Sequence, residues 1–498
     1  MNIASHLERN ALQDPQGVAI RFEGRSITYA ALNKDASRLA AALSAAGLSA
    51  GDRVALYLPN VPEFATVYYA AQKLGAVPVT INAILKTEEV RYLLDDSGAA
   101  AVFTVAELTG FVPADCQSLR LRTVVDGAAG PAGWVALADL LAQGSDGFVS
   151  VERQAEDMAA LLYSSGTTGF PKGVALSQRN IHSNIALPPK YSDYRRGDKL
   201  AAFLPLFHVY GQNYILNAAM LAGATVVLFR RFVPDVVLRA IGAERITHFF
   251  AVPTIYIGLL GMDLSPYDLS SLRYEMSAAA TMPEEVSRRW TERFGRRVYE
   301  GYGLTECSPF ACYNDAHEHR FGSVGRAVDG FELKIYDADD RELPYGEQGE
   351  IVIRGEGVML SYWNRPEDSA ASLRGGWLHT GDVGRMDAEG YVYITDRVKD
   401  MINVSGFKVW PAEVEQYLYK LPGVQEVAVY GVPAAAQGEQ VAAAVVLSAG
   451  AQLTAEAVIA YCRNNIAAYK VPVRVDIVPE LPKSPSGKIL KRVLREQA

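Results

Sequence analysis

Hydroxyls, glycines and one cation crowd together in Tyr163-Ser164-Ser165-Gly166-Thr167-Thr168-Gly169-Phe170-Pro171-Lys172-Gly173, a composition suited to phosphate. Glycines let backbone N–H groups converge on an anion without interference from Cβ, hydroxyls add donors, and Lys172 brings a mobile point charge. The phosphate loop of nucleotide hydrolases is a different pattern, because it places Ser or Thr directly after the lysine. Gly173 follows Lys172, so no hydroxyl stands there to hold a magnesium ion. Ser/Thr/Gly clusters are also ordinary loops, and in isolation this stretch fits that description slightly better.

Further segments decide between the two. Along the chain come Glu300-Gly301-Tyr302-Gly303-Leu304-Thr305-Glu306, Thr380-Gly381-Asp382, Asp396-Arg397-Val398-Lys399-Asp400 and Pro485-Ser486-Gly487-Lys488. In this order, and spread over essentially the whole chain, the segments resemble the AMP-forming adenylating enzymes: acyl-CoA synthetases, aryl-CoA ligases, firefly luciferase and peptide-synthetase adenylation domains. The resemblance implies an enzyme that moves AMP from ATP onto a carboxylic acid, releases pyrophosphate, and passes the acyl group to the thiol of CoA. ATP, Mg2+ and CoA are the small molecules this requires. Splitting the condensation in two gives each step a better leaving group.

The same resemblance assigns expected roles. Ser164, Ser165, Gly166, Thr167, Thr168, Gly169 and Lys172 correspond to the loop that holds the outer phosphates. Ala279, Ala280, Glu300, Gly301 and Tyr302 are expected among the cofactor-binding residues, with the Tyr302 ring packed on adenine. Thr305 corresponds to an α-phosphate donor and Glu306 to the magnesium ligand. Asp382 is expected on the ribose hydroxyls, since one carboxylate can accept from both, with Arg397 as a second contact. Lys488 corresponds to the adenylation lysine, and His208 to the gate between the acid pocket and the thiol tunnel. Gly406 lies in the loop expected to admit the thiol arm. The neighbouring Lys483, Lys491 and Arg492 are expected to be solvated tail cations.

The 498 residues exceed one ordinary core, and 49% hydrophobic content with 21% charged residues suits a globular enzyme. A net charge of −8 argues against a nucleic-acid partner, so polyanionic substrates must be held by local donors. The first residues lack a basic segment followed by an apolar run, and the weakly polar stretch 217–229 is too short to span a bilayer. A cytoplasmic protein without a transmembrane segment is expected, and Cys116, Cys307, Cys312 and Cys462 lack metal-site spacing.

Thr28 is placed to cap a helix with an inner stripe of Leu32, Ala36, Leu39 and Leu43. Strands at 53–58, 77–79, 225–229 and 246–250, alternating with helices such as 63–74, predict parallel sheets. Short strands at 332–336 and 349–353 suggest a small barrel-like unit. After Asp396 the expected order is helix, strand, helix, with a helix at 412–421 and a strand at 426–430. The fold class is thus α/β: a large N-terminal domain (1–396) of two parallel-sheet subdomains plus a small β-barrel, then a mobile α+β C-terminal domain (400–498). The resemblance puts the hinge at 397–399.

Peptide-synthetase relatives carry Asp after the Phe of the gate motif, whereas His208 follows Phe207 here, which disfavours an amino acid. Malonate-activating relatives place Arg immediately before the adenine tyrosine, where this chain has Gly301. The segment Glu300-Gly301-Tyr302-Gly303-Leu304-Thr305-Glu306-Cys307-Ser308-Pro309 is most like that of fatty acyl-CoA ligases, so a medium- or long-chain aliphatic acid is expected first. Extra methyls in Ser277-Ala278-Ala279-Ala280, in place of a Gly-rich segment, keep aryl acids as the alternative. CoA is the expected acceptor, with an acyl carrier protein as the other possibility, and a nucleotide-binding regulator without catalysis is the contrasting hypothesis.

Overall fold

The computed structural model describes residues 2–164, 171–314, 318–397, 400–434 and 438–498. Thr28 caps the helix Tyr29–Ala45 by accepting from the Ala31 N–H at 3.1 Å. Leu32, Ala36, Leu39 and Leu43 are all buried along its inner side, as their spacing predicts. The strand Arg53–Tyr57, the helix Pro62–Leu74 and the strand Val77–Ile81 continue the alternation. Pro62 begins that helix, where an N–H would lack an intrahelical partner anyway, and Gly75 closes it at φ 73°.

Two large sheets result. The first has nine strands in the order Arg326–Ala327, Phe310–Tyr313, Tyr299–Gly303, Tyr274–Ser277, His248–Ala251, Lys199–Ala202, Thr225–Leu228, Val18–Phe22, Arg25–Thr28. It is parallel from Tyr299–Gly303 to Val18–Phe22, with antiparallel strands at both edges. The second has eight, ordered Ser361–Tyr362, Lys172–Ser177, Met158–Ser164, Val77–Ile81, Arg53–Tyr57, Ala101–Thr104, Leu121–Val124, Val135–Ala136. Ligands of such sheets sit in the crevice beyond the carboxyl ends of the parallel strands. Ser164, Ser277 and Gly303 each end one of those strands.

The short strands that follow form a four-stranded antiparallel sheet, Phe331–Tyr336, Gln348–Gly355, Leu378–Met386, Val392–Arg397. A separate C-terminal domain is built on a further sheet in which Val424–Ala434 pairs antiparallel with Gly438–Leu447, and Arg474–Ile477 runs parallel to the latter. Its order departs from the expected one, because the hairpin Ile402–Val404 and Phe407–Val409 precedes the helix Pro411–Leu418. Strands of three residues are too short to show a two-residue period. Among the described residues no helix is long and apolar enough to cross a membrane. The stretch 217–229 holds the short helix Ala218–Ala222 and the strand Thr225–Leu228.

Two tail cations are not solvated, contrary to expectation. Lys483 pairs with the largely buried Glu426 at 2.8 Å, and Lys491 pairs with Glu415 at 2.9 Å, their side chains only 18% and 16% exposed. Burial pushes the Glu415 carboxyl up, and the ammonium of Lys491 offsets that cost. Arg492, 80% exposed, is solvated as expected. Removing one partner of a buried pair leaves an uncompensated charge and costs about 3–5 kcal/mol. Lys491→Met should therefore lower the unfolding free energy of the C-terminal domain by roughly 3 kcal/mol, measured by denaturant titration, whereas Arg492→Met should change it little.

Candidate active site

Tyr302, Asp382 and Arg397 are brought together by strand register. Tyr302 lies on the strand Tyr299–Gly303, and Asp382 and Arg397 face each other across the pairing of Leu378–Met386 with Val392–Arg397. The Tyr302 hydroxyl donates to Asp382 Oδ2 at 2.7 Å, and Arg397 Nε lies 3.1 Å from Oδ1. The carboxylate holds the Arg397 guanidinium more firmly charged than usual, and burial, then Asp382, pushes the Tyr302 phenol well up. Gly381, at φ 71°, lets the chain turn ahead of Asp382, and the Asp382 N–H donates to Thr380 Oγ1 at 3.0 Å.

A second cluster surrounds Glu306. Thr305 and Glu306 open a short turn after Gly303, and the buried Glu306 carboxylate accepts at Oε1 from Ser164 Oγ (3.2 Å) and the Tyr362 hydroxyl (2.9 Å). Lys172 forms an ion pair with Asp368 at 2.7 Å and lies 5.2 Å from the centre of the Tyr362 ring. Of the expected phosphate loop, Ser164 and Lys172 are thus placed beside Glu306, while Ser165, Gly166, Thr167, Thr168 and Gly169 lie outside the described residues. Sequence reasoning missed Tyr362 and Asp368. Tyr362 arrives because Ser361–Tyr362 pairs with Lys172–Ser177, a match of two residues that no local pattern announces.

Among the expected cofactor-binding residues, Ala279 takes φ 71°, a left-handed conformation that suits the glycine expected in such a segment and strains an alanine. Ala280 beside it is exposed. Gly301 is enclosed: a Cβ would stand 2.4 Å from Phe310 and 2.5 Å from Met276, so no larger residue fits. Glu300 is 3% exposed, with Oε1 lacking a hydrogen-bond partner among the described residues, and burial, reinforced by Glu284, pushes its carboxyl well up.

Lys488 sits on a turn of the C-terminal domain that meets the N-terminal domain. The Thr254 hydroxyl donates to the Gly487 carbonyl at 3.0 Å across the domain boundary. The His208 imidazole is pushed down to about 3, chiefly by burial and then by the nearby Lys488 ammonium. His208 Nδ1 accepts from the Tyr210 N–H at 3.2 Å, so the proton of the neutral ring resides on Nε2. Gly406 is not brought to the cleft. It sits at φ 90° on the exposed tip of the hairpin, with nothing within 4 Å of where a Cβ would be.

Comparison with known proteins shows the family. Residues 7–363 match the AMP-binding enzyme family and residues 413–488 match the AMP-binding enzyme C-terminal domain. A long-chain-fatty-acid–CoA ligase of Bacillus subtilis is 36% identical, over 99% of this chain and 94% of its own length. A feruloyl-CoA synthase of an Amycolatopsis species is 37% identical, over 98% and 97%. The crystal structure of an anthranilate CoA ligase in complex with anthranoyl-AMP superposes with a TM-score of 0.94 at 31% identity, covering 100% of this chain and 97% of that one. The chain belongs to the AMP-binding enzyme family. Within it, the protein is an AMP-forming acyl-CoA synthetase, an acyl- or aryl-CoA ligase that uses ATP and CoA.

The depressed histidines carry a pH signature. His6, like His208, is pushed down to about 3 by burial, with His182 and Arg9 adding to the effect. Between the ordinary histidine value near 6.5 and about 3, the unfolded chain binds protons that the folded chain refuses. The stability is complete above about pH 6.5 and is lost as pH falls toward about 3. Thermal unfolding should show a lower midpoint near pH 5 than near pH 7, and His6→Gln should reduce that difference.

Proposed function

We propose that this cleft adenylates a carboxylic acid in the orientation the two domains adopt here. The observation that carries it is the Lys488 turn, docked on the N-terminal domain with its ammonium felt by His208. We take the Tyr302–Asp382–Arg397 set as the nucleotide side of the same reaction. A carboxylate oxygen attacks the α-phosphorus of ATP, the bond to the bridging oxygen breaks, and pyrophosphate leaves. Lys488 and Thr305 are proposed to steady the charge on the α-phosphate and Lys172 that on the outer phosphates. Asp382 and Arg397 hold the ribose, and Tyr302 packs on adenine beside Glu300, Gly301, Ala279 and Ala280.

Glu306 fits a magnesium ion held jointly with phosphate. Mg2+ commonly takes one or two carboxylates plus phosphate oxygens and water. Glu306 presents one buried carboxylate with only Oε1 hydrogen-bonded among the described residues. Those residues hold no group of three acidic, histidine or cysteine side chains that could hold a metal ion, which suits a cation shared with the polyphosphate. The ion would supply charge neutralisation on the polyphosphate.

For the second step, we assign the pantetheine arm of CoA to a cavity of about 600 Å³ between the domains, lined by Pro205, Phe207, Leu259 and Met262 among others, together with the exposed Arg230 and Arg231. Its apolar wall suits the arm, and the guanidiniums suit the nucleotide phosphates. The thiol sulfur attacks the acyl carbon and AMP leaves. A hinge at 397–399 between an N-terminal domain of 1–396 and a C-terminal domain of 400–498 is proposed to bring Gly406 inward for this step; Val398 and Lys399 lie outside the described residues.

For the acid, the likeness of 300–309 to fatty acyl-CoA ligases supports a medium- or long-chain aliphatic substrate. The second reading, an aryl acid, is supported by the likeness to a feruloyl-CoA synthase and to an anthranilate CoA ligase. Pyrophosphate release across alkyl and hydroxyaryl acids separates the two. Lys488→Ala should cut adenylate formation by about 10²–10³-fold, as removal of an electrostatic transition-state donor does, while thioester formation from supplied acyl-adenylate and CoA is nearly preserved. Equal loss of both half-reactions would contradict the assignment.

A further inference from the structure

The turn bearing Lys488 meets the N-terminal domain through a hydrogen bond whose donor lies outside every sequence motif. Thr254, the second residue of the helix Pro253–Leu260, donates from Oγ1 to the Gly487 carbonyl at 3.0 Å. Gly487 has φ 82°, and a Cβ there would lie 2.7 Å from Val252 Cγ2. Only glycine lets the backbone approach so closely in that conformation. Within the turn the Lys488 N–H donates to Ser484 Oγ at 3.1 Å, and the Ser484 N–H donates to the Lys488 carbonyl at 2.8 Å. These bonds tie Gly487 and Lys488 into one small unit, so a contact at Gly487 sets where the lysine side chain begins.

We propose that Thr254 is a positioning residue for adenylation, a latch on the N-terminal domain that keeps the Lys488 turn docked and lets go for the thiol step. The proposal rests on the adenylation role assigned to Lys488. The docked turn also forms part of the wall of the interdomain cavity, so release of the latch widens the path assigned to the thiol arm. A single net hydrogen bond biases an equilibrium by about two- to tenfold. That is enough to favour docking and weak enough to be broken in every turnover.

Thr254→Val keeps the shape of the side chain and removes its donor. Pyrophosphate release without CoA should slow about two- to tenfold in kcat with KM for ATP unchanged, whereas thioester formation from supplied acyl-adenylate should not fall. Thr254→Ser should restore the first rate. Gly487→Ala, which strikes the same contact from the other side, should slow the same half-reaction, and adding Thr254→Val to it should have no further effect. A loss shared by both half-reactions, no loss, additive losses in the double variant, or no rescue by serine overturns the latch. Lys488→Ala run in parallel separates the two assignments. If it leaves pyrophosphate release intact, the role of Lys488 fails. If it abolishes release while Thr254→Val changes nothing, the latch alone fails.

Discussion

An anion must approach a polyphosphate inside a protein that is itself net negative, and the whole arrangement turns on where the opposing charge comes from. Lys172 and Arg397 are already engaged with Asp368 and Asp382, so neither cation stands unpaired for an incoming anion. In the proposed reading Lys488 adds a cation from another domain. Because it sits on a docked turn, charge compensation would then depend on a domain arrangement and not on local folding alone. A buried setting strengthens such interactions relative to water, so the proposed ammonium would weigh heavily on the first step.

Asp382 ties two strands' side chains together. One carboxylate engages a phenol from the large nine-stranded sheet and a guanidinium from the four-stranded sheet, so two layers of the N-terminal domain share an anchor. Glu306 plays the corresponding part between the two large sheets, bonded to Ser164 at the end of one strand and to Tyr362 at the edge of the same sheet. Both carboxylates are therefore oriented before any ligand arrives, which is the preorganisation that electrostatic catalysis requires.

Much of this was legible in the residues. Helix stripes such as Leu32, Ala36, Leu39 and Leu43 declare themselves because burial repeats with the helical period. The motif residues declared themselves by type and order. What stayed hidden depends on pairing between distant segments. Tyr362 and Asp368 meet Lys172 only after a two-residue strand has found its place, and Thr254 meets Gly487 only after two domains dock. Lys491 misled for a related reason: a lysine in a charged tail is usually solvated, and nothing nearby in sequence signals Glu415 on a distant helix. Ala279 shows the converse. A methyl was legible, while its left-handed backbone was not, since alanine gives no hint of a conformation it rarely adopts.

Asp382 and Arg397 stand opposite each other on the final rung of a β-ladder, and the proposed pivot begins at Arg397 itself. Asp382 belongs to the stiff strand of that ladder, whereas its partner is the first residue of the pivot. Swinging the smaller lobe would therefore leave the carboxylate in place while freeing the guanidinium to shift, and a nucleoside held by Asp382 could stay seated from the moment its acid is attached until the sulfur displaces it. The intermediate would then not be handed between two sites; the surroundings would change over it.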